Sequence, residues 1–322
     1  MWKNKRVLVT GGEGFIGKNL AIRLSELGAR VTITAHKKNQ PEFAYTSRDS
    51  VNVFPCDLEL QHDCEIATAD QDFVFHCAAL SHGAKFIKEN PIAMITPNLK
   101  MTAHLLDASY ANNVEKFVFI SSSVVYNDVG SKSVEEHETD QDPPNIYYHV
   151  GHMKRYGEVL CRTYCEKIKK PMKTVVVRPG NVYGHGDNFD PELSHVTASM
   201  IRRVATMQDP IDVWGDGDDI RDIIYIDDFI NGLLLASEKL GDSYCPVNIS
   251  QGKAISVKQI LDILIGFEKY SPDVTFDASK PSMLKERHIS NKKALDTLGF
   301  APKHSIEEGL EKTLSWYKEN KL

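Results

Sequence analysis

Arg6-Val7-Leu8-Val9-Thr10-Gly11-Gly12-Glu13-Gly14-Phe15-Ile16-Gly17 is the stretch that decides the fold. Its opening apolar run reads as a buried strand over 6–10, and the residues after the glycines read as a helix over 17–27. Leu20, Ile22, Leu24 and Leu27 lie on or near one face of that helix. Between strand and helix, glycine permits a tight turn and a close approach of backbone to a ligand. The helix N-terminus then meets negative charge, so the turn suits a pyrophosphate. Gly11, Gly14, Phe15, Ile16 and Gly17 are therefore the first candidate dinucleotide-binding positions.

Downstream, short apolar strands alternate with helical patterns. Strands are expected over 31–34, 72–77, 116–121 and 174–178, with helices near 92–111 and 146–169. Such alternation predicts an α/β fold, a doubly wound parallel-sheet Rossmann domain with right-handed crossovers. Runs such as Phe117-Val118-Phe119-Ile120 fit strands covered on both faces. After Pro179 the pattern loosens, although 222–228 reads as a strand running into a helix over 228–240. Further helices are expected around 257–268 and from Ser305. The expected division is a dinucleotide-binding domain of 1–180 plus about 220–245. A smaller, discontinuous C-terminal substrate lobe takes 181–219 and 246–322.

Lys+Arg of 38 against Asp+Glu of 44 leaves a net charge of −6, which argues against a dedicated nucleic-acid binder. No apolar run reaches the length of a membrane span, and the opening residues do not read as a secretion signal. The six cysteines show no framework spacing; Cys161 and Cys165, four apart, read as two core positions on one helix face. A reduced, cytoplasmic setting is expected. No cluster has metal-ligand spacing, so no metal is expected.

In many dinucleotide folds an acid about 20 residues beyond the glycines binds the ribose 2′-hydroxyl. Here the corresponding stretch is Thr34-Ala35-His36-Lys37-Lys38, with no acid. His36 and Lys37 would attract a 2′-phosphate that an acid would repel, so NADP is favoured and NAD is the alternative.

The glycine turn stands together with His76-Cys77-Ala78-Ala79, Ser121-Ser122-Ser123-Val124-Val125-Tyr126 and Arg178-Pro179-Gly180-Asn181-Val182-Tyr183-Gly184. As a set they resemble the extended short-chain dehydrogenase/reductase family, the nucleotide-sugar epimerases, dehydratases and reductases. Asp187-Asn188-Phe189, Ser194-His195-Val196, Arg202-Arg203, Val213-Trp214-Gly215-Asp216-Gly217 and Arg221-Asp222 are similar to the GDP-fucose synthase branch. The resemblance implies that Asp57 and Leu58 flank an adenine and that Ala78 and Ala79 line the cofactor channel. It places Pro179, Asn181 and Val182 at the nicotinamide. It gives Ser123, Asn188, Arg203, Trp214 and Arg221 to a nucleotide sugar, GDP-linked by likeness. Guanidinium forks and an indole suit a diphosphate and a base.

Family chemistry passes a hydride between nicotinamide and a sugar carbon while a proton moves on the attached oxygen. Its apparatus is a Ser/Thr, a Tyr, and a Lys four residues after the Tyr. Ser122, four residues before Tyr126, fits the hydroxyl role, and Lys154 in Lys154-Arg155-Tyr156-Gly157-Glu158 fits the lysine. Four residues before Lys154, however, stands Val150, which cannot exchange a proton. Three readings stay open. Another group acts, either Tyr147, within about 20° of Lys154 on an ideal helix capped by Asn145, or His195, an acid by resemblance. Alternatively water carries the proton, or the chain binds its ligand without fast turnover. Ser123 and Val124 stand where, by resemblance, 4,6-dehydratases carry Asp and Glu. Val124 also stands where the fucose-synthase branch has an epimerising Cys. A 4-reductase or 4-dehydrogenase of a GDP-linked 4-keto-hexose or heptose is the leading expectation. A nucleotide-sugar epimerase or a catalytically weak binding protein is the alternative. The resemblance also implies a homodimer formed through helices near 92–111 and 146–169.

Overall fold

The central layer of this computed structural model is a seven-stranded parallel sheet. The structure describes residues 1–36, 51–81, 90, 92–280 and 284–322. The sheet contains β1 (Arg6–Thr10), β2 (Arg30–His36), β3 (Val51–Cys56), β4 (Phe73–His76), β5 (Lys116–Ile120), β7 (Lys173–Pro179) and β11 (Val247–Ile249). Their spatial order is β11-β7-β5-β4-β1-β2-β3. The chain thus builds outward from β1 to one side and then returns to build from β4 to the other. Loops leaving β1 and β4 diverge, which opens a crevice at the carboxyl ends of these two strands, the usual place for a ligand in such a sheet.

Two cores explain the apolar strands. Val7 and Val9 of β1 and Val118 of β5 enter one core. Leu8, Phe117 and Phe119 enter the other, on the opposite face. On the first face lie α1 (Phe15–Glu26) and α6 (Ile226–Lys239), packed against each other. On the second lie α2 (Gln61–Thr68), α3 (Ile95–Ala111) and α4 (Tyr148–Arg162). Cys161 and Cys165 are both buried. Among the described residues no helix is long and apolar enough to cross a membrane.

The helix expected over 146–169, with Asn145 as its cap, is three pieces. A 3₁₀ turn covers Asn145–Tyr147, α4 follows, and a wider turn covers Thr163–Lys167. Pro144 is extended, and the Tyr147 N–H closes back on its carbonyl at 2.7 Å. The α-helical cap position therefore falls on Tyr147, at φ −109° and ψ 4°. The helical projection that set Tyr147 beside Lys154 does not apply to it.

The remaining strands form small sheets. β8 (Asn181–Tyr183) pairs with β10 (Ile220–Tyr225), which pairs with β12 (Ala254–Ser256). β9 (Ile211–Trp214) pairs with β13 (Val274–Asp277), and β6 (Ser133–Val134) with β14 (His288–Ile289). Around them pack α5 (Val196–Ala205), α7 (Val257–Gly266) and α9 (Ile306–Lys321), while α8 (Lys292–Leu298) lies against α6 and β11. Ser256 and Ser305 start α7 and α9 with complete capping boxes. Of the segment near 220–245, β10 joins a small sheet and only α6 covers the large one. The large sheet takes its outer strand from 247–249, a stretch expected in the smaller lobe.

Candidate functional site

The glycine turn is fixed from both sides. Gly11 N–H donates to Thr34 Oγ1 at 3.1 Å, and Ala78 N–H donates to Thr10 Oγ1 at 3.1 Å. Gly11 has φ +64°, and a Cβ there would lie 2.7 Å from Ala78 Cα. A Cβ on Gly17 would lie 2.2 Å from the Gly11 carbonyl oxygen. On Gly14 it would meet only that oxygen, at 3.3 Å, so the outer side of the turn is open. Phe15 and Ile16 begin α1, whose first N–H groups have no acceptor within the helix. This bare-backbone cradle fits a dinucleotide pyrophosphate. Asp57 follows β3, its carboxylate accepting Glu59 N–H at 3.0 Å and its own N–H held by Asp63 at 2.7 Å; Leu58 is buried. His36 is the exposed last residue of β2, and Lys37 lies outside the described residues.

Across the crevice, Lys154 projects from α4 to the end of β5. Its Nζ donates to the Ile120 carbonyl at 2.9 Å and stands 5.0 Å from the Phe119 ring centre. Ser122 lies two residues beyond that carbonyl; its hydroxyl accepts Val124 N–H at 3.3 Å, starting a 3₁₀ turn that contains Ser123. The fold thus brings Ser122 and Lys154 to one strand end. Burial lowers the Lys154 pKa to about 8 against the opposing pull of Glu158 and Cys77. Glu158 is itself committed: Arg178 Nε and Nη2 donate to it at 2.8 and 2.5 Å, and Ser121 Oγ at 2.5 Å. His76, held between the Thr10 and Thr102 hydroxyls, has its pKa lowered to about 3 by burial and by the Lys154 charge, so it is neutral.

Val150 is buried, at 9% exposure. Tyr147 points elsewhere, with the Leu284 N–H directed at its hydroxyl oxygen. Burial raises its pKa while Arg221 and Arg287 counter that rise. Tyr126 is fully buried and donates to Asn248 Oδ1. His195 occupies the exposed N-cap position of α5 without a capping bond.

The other wall holds the arginines. Arg221 Nη1 donates to the Ile220 and Leu284 carbonyls, both at 2.8 Å, and Nη2 to Asp219 at 3.0 Å. Arg203 donates to the Asp212 carbonyl, and its Nε is buried without a partner among the described residues. Trp214 is 49% exposed at the end of β9, so it is not a core residue. Asn188 lies in an exposed loop, where its Oδ1 accepts Asp190 N–H at 3.0 Å. Pro179 ends β7; Asn181 and Val182, partly buried, open β8. Sequence reading passed over Arg287. It is 6% exposed, donates through Nη1 to the Asn127 carbonyl at 3.1 Å, and has a buried Nη2 with no acceptor among the described residues. Its only sequence signal was an arginine in a Lys-rich stretch without periodicity. Among the described residues no His/Cys/Asp/Glu group could hold a metal ion.

Residues 7–250 match the NAD dependent epimerase/dehydratase family. The chain is 27% identical over 328 residues to a dTDP-4-dehydro-6-deoxy-D-allose reductase of Streptomyces bikiniensis, covering 99% of this chain and 98% of that protein. It is 28% identical over 331 residues to the GDP-L-fucose synthase of Escherichia coli (strain K12), covering 98% and 97%. The solved UDP-glucose 4-epimerase of Thermus thermophilus in complex with NAD matches at TM-score 0.83 and 25% identity, covering 98% of this chain and 100% of that one. Together with the glycine cradle and the strand-end lysine, these matches place the chain: it belongs to the NAD dependent epimerase/dehydratase family and is of the extended short-chain dehydrogenase/reductase type.

Proposed function

We propose that the chain is a nicotinamide-dependent oxidoreductase acting at C4 of a nucleotide sugar, a 4-reductase or 4-dehydrogenase of a GDP-linked 4-keto-hexose or heptose. The observation that carries this reading is the Arg287 Nη2, buried beside Arg221 and Tyr147 and without an acceptor among the described residues. A buried guanidinium with an unused donor suits an anion, and a sugar diphosphate supplies the two charged oxygens such a fork takes. The likeness to the GDP-L-fucose synthase supports guanine.

Gly11, Gly14 and Gly17 admit the pyrophosphate, with Asp57 and Leu58 toward the adenine and Ala78, Ala79, Pro179, Asn181 and Val182 toward the nicotinamide. A bound nicotinamide supplies the hydride-transferring ring. Lys154 holds its ribose and Ser122 orients the reacting sugar oxygen. Ser123, Asn188, Arg203, Trp214 and Arg221 contact the nucleotide sugar, and His195 stands on its side of the crevice. NADP is favoured over NAD because the stretch that ends β2 and follows it, His36-Lys37-Lys38, carries basic side chains and no acid. The dinucleotide domain and the smaller lobe meet across this crevice. Exposed Tyr148, Tyr156 and Val159 on α4 support a homodimer through α3 and α4, and six free cysteines fit a cytoplasmic location.

A C4 epimerase is the second reading, favoured by the likeness to the UDP-glucose 4-epimerase. A panel of GDP-, UDP- and dTDP-sugars with both cofactors, read by cofactor absorbance and product mass, decides. Net cofactor turnover with a GDP-sugar is expected. An isomeric product with no net redox change gives the epimerase, and silence toward every sugar refutes both.

A further inference from the structure

Resting on the oxidoreductase reading, we propose that Lys154 is itself the proton-exchanging group of this site, passing its proton to and from the C4 oxygen directly or across one water. The geometry removes the phenols first. Val150, one turn before Lys154, is buried and aliphatic. Tyr147 sits in the turn ahead of α4 and is directed at Leu284, Arg221 and Arg287. The Tyr126 hydroxyl is sealed against Asn248, and Tyr148 is exposed with its ring against His149 and His152.

What surrounds the amine then decides its chemistry. From α4 it is faced by Glu158, which already neutralises Arg178 of β7. From the end of β4 and the residue after it, it is faced by His76 and Cys77. His76 is neutral, and burial pushes the Cys77 thiol up to about 12. From β5 come the Phe119 ring and the Ile120 carbonyl, its one hydrogen-bond acceptor among the described residues. A buried cation with no carboxylate of its own among the described residues gives up its proton far more readily than a surface lysine. That agrees with its pKa of about 8. It still keeps donors to spare for a ligand.

The step balances. In the oxidative direction the C4–H bond breaks and its electron pair leaves with the hydrogen to the nicotinamide. The C4–O bond becomes a carbonyl, and the hydroxyl proton passes to the neutral Lys154 amine. In the reductive direction the ammonium returns that proton to the oxygen as hydride arrives at carbon.

Two measurements test this on the full chain. Competitive amine acylation from neutral to alkaline pH, with the Lys154 peptide quantified by mass spectrometry, reads the titration of the amine without turnover. Half-titration near 8 is expected; a midpoint in the ordinary lysine range, about 10.4, overturns the proposal. The pH profile of cofactor reduction by the reacting nucleotide sugar is the second readout. It should share the amine's midpoint and lose that midpoint in Val150→Tyr, where a phenol takes over. Lys154→Arg keeps a cation and donors but cannot release a proton, and should lose about 10²–10⁴-fold in rate. Retained rate in Lys154→Arg, or a profile abolished by His195→Asn, overturns the proposal. If Lys154 titrates low but no sugar reacts, the oxidoreductase reading fails and takes this one with it. If sugars react and Lys154 titrates as an ordinary lysine, only the proton assignment fails.

Discussion

Replacing Arg287 by Met separates a substrate-holding cation from an architectural one. The guanidinium is 6% exposed and, among the described residues, makes one hydrogen bond, to the Asn127 carbonyl, and leaves Nη2 without an acceptor. Two terms oppose each other in the free protein. Losing the Asn127 bond and leaving that carbonyl unpaired costs about 1–3 kcal/mol. Removing a buried cation that forms no ion pair among the described residues returns a comparable desolvation penalty, since burial already destabilises the charged form at this position. The net stability change should therefore stay within about 1.5 kcal/mol, a shift of only a few degrees in Tm. Binding has no such offset. One charge-assisted hydrogen bond is worth about 1.5–3 kcal/mol, so affinity for a nucleoside diphosphate should fall about 10- to 150-fold. Calorimetric titration with GDP, UDP and dTDP, beside thermal unfolding of the same samples, measures both. Unchanged affinity with a stability loss above about 3 kcal/mol would show an architectural arginine and refute the reasoning.

Gly17→Ala drives a methyl to 2.2 Å from the Gly11 carbonyl oxygen, so the turn must shift. A stability loss of about 1–3 kcal/mol with at least tenfold weaker cofactor binding is expected by calorimetry. Glu158→Leu leaves Arg178 buried and unpaired and should cost about 3–5 kcal/mol in urea unfolding; adding Arg178→Met should recover part of it. His76 is held near 3 in the folded chain against an ordinary 6.5. Between those values the unfolded state binds the extra proton, so stability is full above 6.5 and is lost as pH falls toward 3. His76→Gln should narrow the difference between urea midpoints measured at neutral and mildly acidic pH; an unchanged difference contradicts the assignment.

The sheet core was legible because β1, β4, β5 and β7 are short, nearly continuous apolar runs separated by helical patterns, as strands covered on both faces of a parallel sheet are. β3 escaped reading because it is an edge strand, with Pro55 and a mostly half-exposed pattern. Three-residue β11 carries no periodicity and is a strand only through its pairing with β7. The glycine cradle and Lys154 were readable because backbone approach and helical register are local properties. Tyr147 was misplaced because Pro143-Pro144 bends the chain into a 3₁₀ turn before α4, where the ideal projection fails. Arg287 was invisible because its burial arises from distant contacts, with its N–H on the Ile220 carbonyl and its Nη1 on Asn127.

A crystal structure of the chain grown with saturating NADP, and a second with NAD, tests the central claim most directly. The account expects the pyrophosphate on the Gly11–Gly17 turn and the nicotinamide ribose within hydrogen-bond reach of Lys154 Nζ. A pyridine ring lodged away from that amine, or a crevice left empty at saturating cofactor, would contradict it.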